Sequence, residues 1–210
     1  MNGYQISSHW LTERYAAGDR YFERIDLREV HLSNICLAGA RLCWADFTSA
    51  DLNQAQLSHA DLTGAMMWRS HLDQANLRWA NLHQAVMIRC SAAKANFNGA
   101  KLHRTDLRLA NLRQASFAGA DLRGAKLCYS DLRGADFTGT NLTGADLTGT
   151  NLTGARMAAA CWQDTTFERA QHPSTSLHRA QLDASFTLAA AHKVDPTSVS
   201  QALTPFHRPR

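Results

Sequence analysis

ADFTGTNLTGADLTGTNLTGA, residues 135–155, repeats a five-residue unit four times without a change of register. A large apolar residue occupies every fifth position, at Phe137, Leu142, Leu147 and Leu152, and a small residue precedes each by two. An α-helix has a period of 3.6 residues and a flat strand a period of 2, so neither keeps this pattern in phase. A chain that turns after every five residues does keep it, and the unit therefore predicts a solenoid.

The same period continues from this stretch through most of the chain. Of the 33 positions spaced five apart over residues 22–182, 31 hold Leu, Phe, Met or Trp, and the exceptions are Ala92 and His172. All 29 positions two residues earlier, over residues 40–180, hold Ala, Ser, Thr or Cys. A narrow, densely packed interior accommodates one large and one small side chain per side. We therefore expect these two positions to point inward and the other three to face outward or form corners.

Length, cysteine content and charge restrict the class of protein. A chain of 210 residues is expected to form one domain, and five cysteines without a C-x-x-C pair exclude a complete disulfide framework. The sequence shows no secretory signal and no run of roughly 18–20 apolar residues, so we expect a cytoplasmic protein that does not cross a membrane. The net charge is +4, but most arginines stand beside aspartates, which argues against a strong uniform field.

The repeats ADLTG (60–64), ANLRQ (110–114) and ADFTG (135–139) carry a resemblance to a known family. Over about residues 20–182 the chain resembles the pentapeptide-repeat family. This resemblance implies an all-β solenoid: a right-handed quadrilateral β-helix of about eight four-sided coils, with twenty residues per coil. The recurrence of Phe97, Phe117 and Phe137 at intervals of twenty agrees with that coil length.

The open ends of such a coil need covers, because they present unpaired backbone groups. We divide the chain into an N-terminal helical cap (1–21), the pentapeptide-repeat β-helix (22–182) and a C-terminal helical cap with a disordered tail (183–210). In the first segment Ser8 is the expected N-cap and Gly18 the expected stop. Trp10 or Leu11 is expected to be buried against the first coil.

Two segments depart from the outward pattern, AMMWRS at 65–70 and AVMIRC at 85–90. They lie twenty residues apart, so their side chains are expected to stack on one face and form an apolar patch edged by arginines. Such a patch is typical of a site for a protein partner. The alternative is that the chain's own termini cover it. The predicted partner-binding residues are Trp44, Met66, Trp68, Arg69, Val86, Ile88, Arg89, Leu109 and Tyr129.

The sequence contains no motif of an enzyme or a cofactor site. It has no phosphate loop, nucleophile elbow or H-E-x-x-H, and a solenoid filled by leucine offers no substrate cavity. His83 and His103 are expected to stack, but Thr63 separates them from Cys43, so a zinc site lacks adjacent ligands. We therefore predict neither enzymatic activity nor a cofactor nor a metal.

The function expected from these observations is a non-enzymatic protein–protein interaction scaffold, regulatory in role, whose partner is unknown. RYAAGDRYFERIDLREVHLSN, residues 14–34, resembles the opening of cyanobacterial pentapeptide-repeat proteins, including one that influences heterocyst patterning by contacting a transcription regulator.

The alternative function is modulation or protection of DNA gyrase, since some members of the family act there as mimics of duplex DNA. That role requires a strongly acidic rod, whereas this chain is net basic. Direct binding of nucleic acid is disfavoured, because the arginines fall on several sides without a strip of stacking aromatics. A homodimer is left open by the sequence.

Overall fold

A computed structural model of the chain describes residues 7–171. It contains one helix in that range, α1 (Ser8–Ala16), followed by a β-helical coil whose sheets consist of isolated parallel bridges rather than longer strands. The bridges join residues twenty apart, from Tyr21 with Arg41 to Asn151 with Gln171. One bridge occurs every five residues, so each coil has four sides and a twenty-residue turn.

The backbone amides of a side are satisfied by two kinds of acceptor. In the pentapeptide 45–49, four amides donate to backbone carbonyls, one closing the turn and three reaching the neighbouring coils. The fifth amide, that of Thr48, donates to Oδ1 of Asp46 at 2.9 Å. The same bond joins Thr63 to Asp61 and Thr143 to Asn141. Asp or Asn therefore precedes the central residue so often because its side chain completes the hydrogen bonding of the turn.

The interior follows the predicted division into one large and one small inward residue. Nearly all of these positions are fully buried between Phe22 and Ala155. The rings of Phe97, Phe117 and Phe137 stack in successive coils, with centroids 4.9 and 5.1 Å apart. Where a small position holds a hydroxyl it donates to a backbone carbonyl, as Thr140 Oγ1 does to the carbonyl of Phe117 at 2.7 Å. The inward pattern predicted from the sequence is confirmed between Phe22 and Ala155, and the inward residues from Ala160 to Ala170 are partly buried.

Helix α1 contributes to the hydrophobic core of the first coil. Leu11 is fully buried there, whereas Trp10 is 43% exposed and meets Phe22 edge-on at 6.5 Å. The prediction of a buried residue at this point is confirmed for Leu11. The phenol of Tyr15 donates to the carbonyl of Ala38 at 2.8 Å, which attaches the helix to the coil.

The predicted N-cap was wrong by one residue. Ser7, not Ser8, is the N-cap, and its hydroxyl accepts a hydrogen bond from the amide of Trp10 at 3.2 Å. Either serine has the required chemistry, so tertiary packing of the helix decides between them. The helix ends as predicted ahead of Gly18, whose φ of 98° favours glycine.

Several predictions lie outside the described residues. These are the exception at His172, the end of the coil at residue 182, and the C-terminal cap and tail over 183–210. Within residues 7–171, no helix combines the length and the apolar character that crossing a bilayer requires.

Candidate partner-binding face

One side of the coil, which we name the Trp68 face, contains residues 45–49, 65–69, 85–89 and 105–109. Its register is fixed by parallel bridges that join Asp46 to Met66, Met66 to Val86, and Val86 to Asp106. The amide of Arg69 donates to the carbonyl of Ile88 at 3.1 Å. The two departing segments therefore occupy the same side in successive coils, with Met66 beside Val86 and Trp68 beside Ile88.

The four apolar residues at the centre of this face reach solvent. Met66 is 46% exposed and Trp68 39%, while Val86 and Ile88 are half-buried. Below them the inward positions hold the fully buried Met67 and Met87 in place of leucine or phenylalanine. The face thus presents apolar side chains where neighbouring coils present Asp, Asn, Thr or Arg, and an unbranched methionine pair supports it from inside.

The apolar residues also interrupt the hydrogen bonding of the turn. Met66 and Val86 occupy the position at which Asp46 accepts the amide of Thr48. Neither side chain carries an oxygen acceptor, and within residues 7–171 the amides of Trp68 and Ile88 have no hydrogen-bond acceptor. A hydrogen bond of this kind contributes about 0.5–1.5 kcal/mol. The two central sides of the Trp68 face therefore lack a stabilising hydrogen bond that most other sides have.

Two arginines stand at the corner beside the apolar residues. Arg69 and Arg89 are exposed, and their φ angles of 56° and 58° place them at the sharp bend between two sides. The guanidinium carbon of Arg69 lies 4.6 Å from the centroid of the Trp68 ring, a cation–π contact. Among the described residues no carboxylate lies within 4.0 Å of either guanidinium.

The remaining charges of the face compensate one another. On one flank Arg108 pairs with Asp106 at 2.7 Å, and this hydrogen bond raises the pKa of Arg108 above its ordinary value. On the other flank Arg28 pairs with Asp26 at 2.6 Å and lies 3.8 Å from Asp46. The apolar centre is thus bordered by internal ion pairs and by two arginines that have no such pair.

Trp44 lies at the opposite corner, and a glycine in the next coil explains its position. It is 54% exposed, and its ring lies against Gly64, where an added Cβ would overlap the ring carbons. Trp79 lies on Gly99 and Tyr129 on Gly149 in the same way. An aromatic residue followed by glycine twenty positions later is a sequence signal for this packing, and it was not among the predicted features.

The predicted set is therefore brought together only in part. Trp44, Met66, Trp68, Arg69, Val86, Ile88 and Arg89 share the two central coils or their corners. Leu109, 47% exposed, extends the Arg69–Arg89 corner by one coil. Tyr129 stands a further coil away, about 14 Å from Arg69 at the usual strand spacing, and its ring points to Gly149. Cys128 precedes Tyr129 in the chain, and its burial raises the pKa of the thiol to about 11.

Another polar cluster among the described residues is a pair of histidines in successive coils. His83 and His103 stack with ring centroids 5.3 Å apart, and Nδ1 of His83 contacts the carbonyl of His103 at 3.0 Å. Between residues 7 and 171 no group of three or more His, Cys, Asp or Glu side chains is arranged to hold a metal ion.

The repeat, the coil and the variable outward side chains define the class of protein, a β-helical solenoid built from five-residue units. A family model described as pentapeptide repeats matches residues 25–64, 75–114 and 115–154, in eight copies. The chain belongs to the pentapeptide-repeat family, and its fold is the right-handed β-helical solenoid of that family. A comparison with curated proteins finds no match.

Solved structures include two informative neighbours. A trypsin-treated variant of QnrB1, a plasmid-mediated fluoroquinolone resistance protein, is 15% identical over 83% of this chain and 89% of its own, with a TM-score of 0.59. HetL from the cyanobacterium Nostoc sp. strain PCC 7120, a pentapeptide-repeat protein involved in heterocyst differentiation regulation, is 27% identical. That alignment covers 82% of this chain and 99% of HetL, with a TM-score of 0.33. The likeness to QnrB1 is one of fold.

Proposed function

We propose that the protein is a non-enzymatic scaffold with a regulatory role in the cytoplasm, and that it binds a protein partner through the Trp68 face. One observation carries the proposal. Met66 and Val86 replace the turn-completing Asp or Asn, so two amides lose their acceptor while four apolar side chains become available at the surface. A fold that needs only its inward residues gains nothing from this exchange, whereas a partner gains an apolar contact.

The composition of the face supports a protein as the partner. Its centre is apolar and contains a tryptophan, and charged residues are confined to the border, which is the arrangement of a protein–protein interface. The area is small, so it fits the anchor of a larger contact. Trp44 and Leu109 extend it at the two corners.

The test compares variants that differ only on the surface. Trp68→Ala with Ile88→Ser removes the centre of the face, and Trp79→Ala removes a tryptophan that is even more exposed and lies at a corner away from this face. Each protein is used as bait in native extract, and the captured protein is then purified and titrated by calorimetry. We expect Trp79→Ala to bind like the wild type and the double variant to lose binding by about a hundredfold or more. Equal affinity of all three proteins would overturn the proposal.

A gyrase supercoiling assay distinguishes the alternative function. The chain has a net charge of +4, which is opposite to that of a DNA mimic. We therefore expect no inhibition of supercoiling and no protection from a fluoroquinolone at micromolar protein. Salt-sensitive inhibition that survives in the Trp68→Ala, Ile88→Ser variant would favour the alternative.

A further inference from the structure

The charges at the border of the Trp68 face specify the chemistry of the partner. Arg69 and Arg89 occupy the same corner in successive coils, about 5 Å apart along the coil axis. Among residues 7–171 they have no ion pair, whereas Arg28 and Arg108 do. Two adjacent positive charges next to an apolar surface are therefore left for a ligand to neutralise.

The contact with Trp68 prepares Arg69 for such a ligand. Its guanidinium lies over the indole ring, with 4.6 Å between the guanidinium carbon and the ring centroid. Arg69 is exposed, so N–H donors of its guanidinium remain accessible to a ligand. A guanidinium of this kind can bind a carboxylate in a bidentate pair. Trp68 would thus contact the apolar group of the ligand, and Arg69 beside it would pair with the carboxylate.

The acidic residues nearby do not compete for this role. Asp106 is paired with Arg108, and Asp46 accepts the amide of Thr48 and lies near Arg28. A ligand therefore has two requirements to meet, an apolar group for the centre of the face and negative charge for Arg69 and Arg89. A polypeptide with one or two apolar side chains and separate carboxylates meets both requirements.

We infer that the partner segment is acidic: it places an apolar side chain on Met66, Trp68, Val86 and Ile88, and an Asp or Glu beside it pairs with Arg69 and Arg89. This inference rests on the proposed function, because it describes the ligand of the same face.

The experiment uses charge reversal with a matched control. Arg69→Glu with Arg89→Glu reverses the corner, and the same corner column already holds Glu29 at a φ of 61°, so glutamate is compatible with the bend. Arg78→Glu with Lys94→Glu makes the same change in net charge on other sides. A phage-displayed library of random peptides is selected against the full-length wild type, both charge variants, and Trp68→Ala with Ile88→Ser. Synthetic copies of the selected peptides are measured by fluorescence anisotropy at low and high salt.

We expect the wild type and the control to select peptides with an apolar anchor next to Asp or Glu. The corner variant should bind those peptides about tenfold or more weakly at low salt, and its own selection should exchange Asp and Glu for Lys and Arg. Peptides with the apolar anchor but no acidic enrichment would overturn the acidic partner and leave the proposed function intact. Selection unchanged by Trp68→Ala with Ile88→Ser would overturn the proposed function itself.

A parallel measurement addresses nucleic acid. A fluorescent DNA duplex and a single strand are titrated with the same four proteins. We expect no binding at physiological salt that depends on Arg69 and Arg89. Tight binding that is lost in the corner variant and retained in Trp68→Ala with Ile88→Ser would overturn the inference, because the corner would then be a phosphate site.

Discussion

The segments 65–70 and 85–90 and the stretch 135–154 form coils with the same inward pattern and different surfaces. In both regions the inward positions are buried and the backbone ladders run to residues in the adjacent coils. In 135–154 every outward position holds Asp, Asn, Thr or Gly, whereas the two segments hold Met, Trp, Val, Ile and Arg. The coil therefore tolerates very different outward residues, and surface chemistry is available for binding.

The corners show the same contrast. All 30 corners between Arg24 and Arg169 have φ between 55° and 72°. Glycine occupies seven of the eight corners from 119 to 154 but only three of the nineteen from 24 to 114. A residue with a Cβ at such an angle costs about 1–2 kcal/mol. The N-terminal coils thus carry corner side chains despite this cost, and Arg69 and Arg89 are among them.

The largest effect is expected from a change in the buried interior, which the two regions share. Phe117→Ala removes a ring that stacks on both Phe97 and Phe137 and leaves a cavity in the interior. We expect the free energy of unfolding to fall by about 3–5 kcal/mol, measured by urea denaturation. Thr153→Ala, at an exposed position, should stay within about 0.5 kcal/mol of the wild type. A loss below about 1 kcal/mol for Phe117→Ala would contradict the account of the core.

The next effect concerns a corner of the Trp68 face. Gly64→Ala adds a Cβ at a φ of 66° and against the ring of Trp44, whereas Gly119→Ala has the same φ and no atom within 4 Å. Both should lower stability by about 1–2 kcal/mol through the backbone, and Gly64→Ala should lose about 1 kcal/mol more. In the Trp44→Ala background this excess should disappear. Its persistence there would show that the ring does not cause it.

A smaller effect, an increase in stability, is expected when the missing turn hydrogen bonds of the Trp68 face are restored. Met66→Asn with Val86→Asn gives the amides of Trp68 and Ile88 the acceptor that Asn141 supplies to Thr143. We expect each restored bond to stabilise the fold by about 0.5–1.5 kcal/mol, measured by thermal and urea denaturation. The reverse change, Asn141→Val, should destabilise by a similar amount. If the double variant is less stable than the wild type, the apolar residues contribute to the fold rather than to binding.

The smallest effect concerns pH in the C-terminal coils. Hydrogen bonds from Arg123 and Arg133 hold the pKa values of Asp121 and Asp131 below their ordinary range. Both carboxylates therefore stabilise the fold above the unfolded pKa of about 3.9, and this contribution is lost as the pH falls through the lower folded pKa. Asp121→Asn with Asp131→Asn keeps one acceptor oxygen for the backbone amide of Arg123 or Arg133 and removes the charges. The difference in melting temperature from the wild type should be present at neutral pH and vanish towards pH 2; a constant difference would contradict it.

The inward side of the fold was predictable from residues because its rule is local. A large residue every fifth position and a small one two before it are enough to predict a coil of five-residue sides, and the structure buries both. The coil length of twenty came from the family resemblance, with the Phe97, Phe117 and Phe137 series as support. The apolar patch was predicted from the twenty-residue coil, since this length places Met66 beside Val86 and Trp68 beside Ile88.

Other features depended on contacts between coils. The N-cap is Ser7 rather than the predicted Ser8, and the sequence could not distinguish them because two adjacent serines offer the same acceptor. The rings of Trp44 and Tyr129 lie on glycines of the next coil, which an inspection of single repeats does not reveal. Tyr129 consequently points away from the centre of the Trp68 face.

The sequence by itself determined the five-residue sides and the identity of the inward residues, because one large and one small side chain in every five residues have to be buried together. Only the tertiary structure decided how the outward side chains are oriented and which of their charges are compensated. Those properties arise from contacts between side chains: Arg69 lies over Trp68, Arg108 pairs with Asp106, and the ring of Trp44 lies against Gly64 in the next coil.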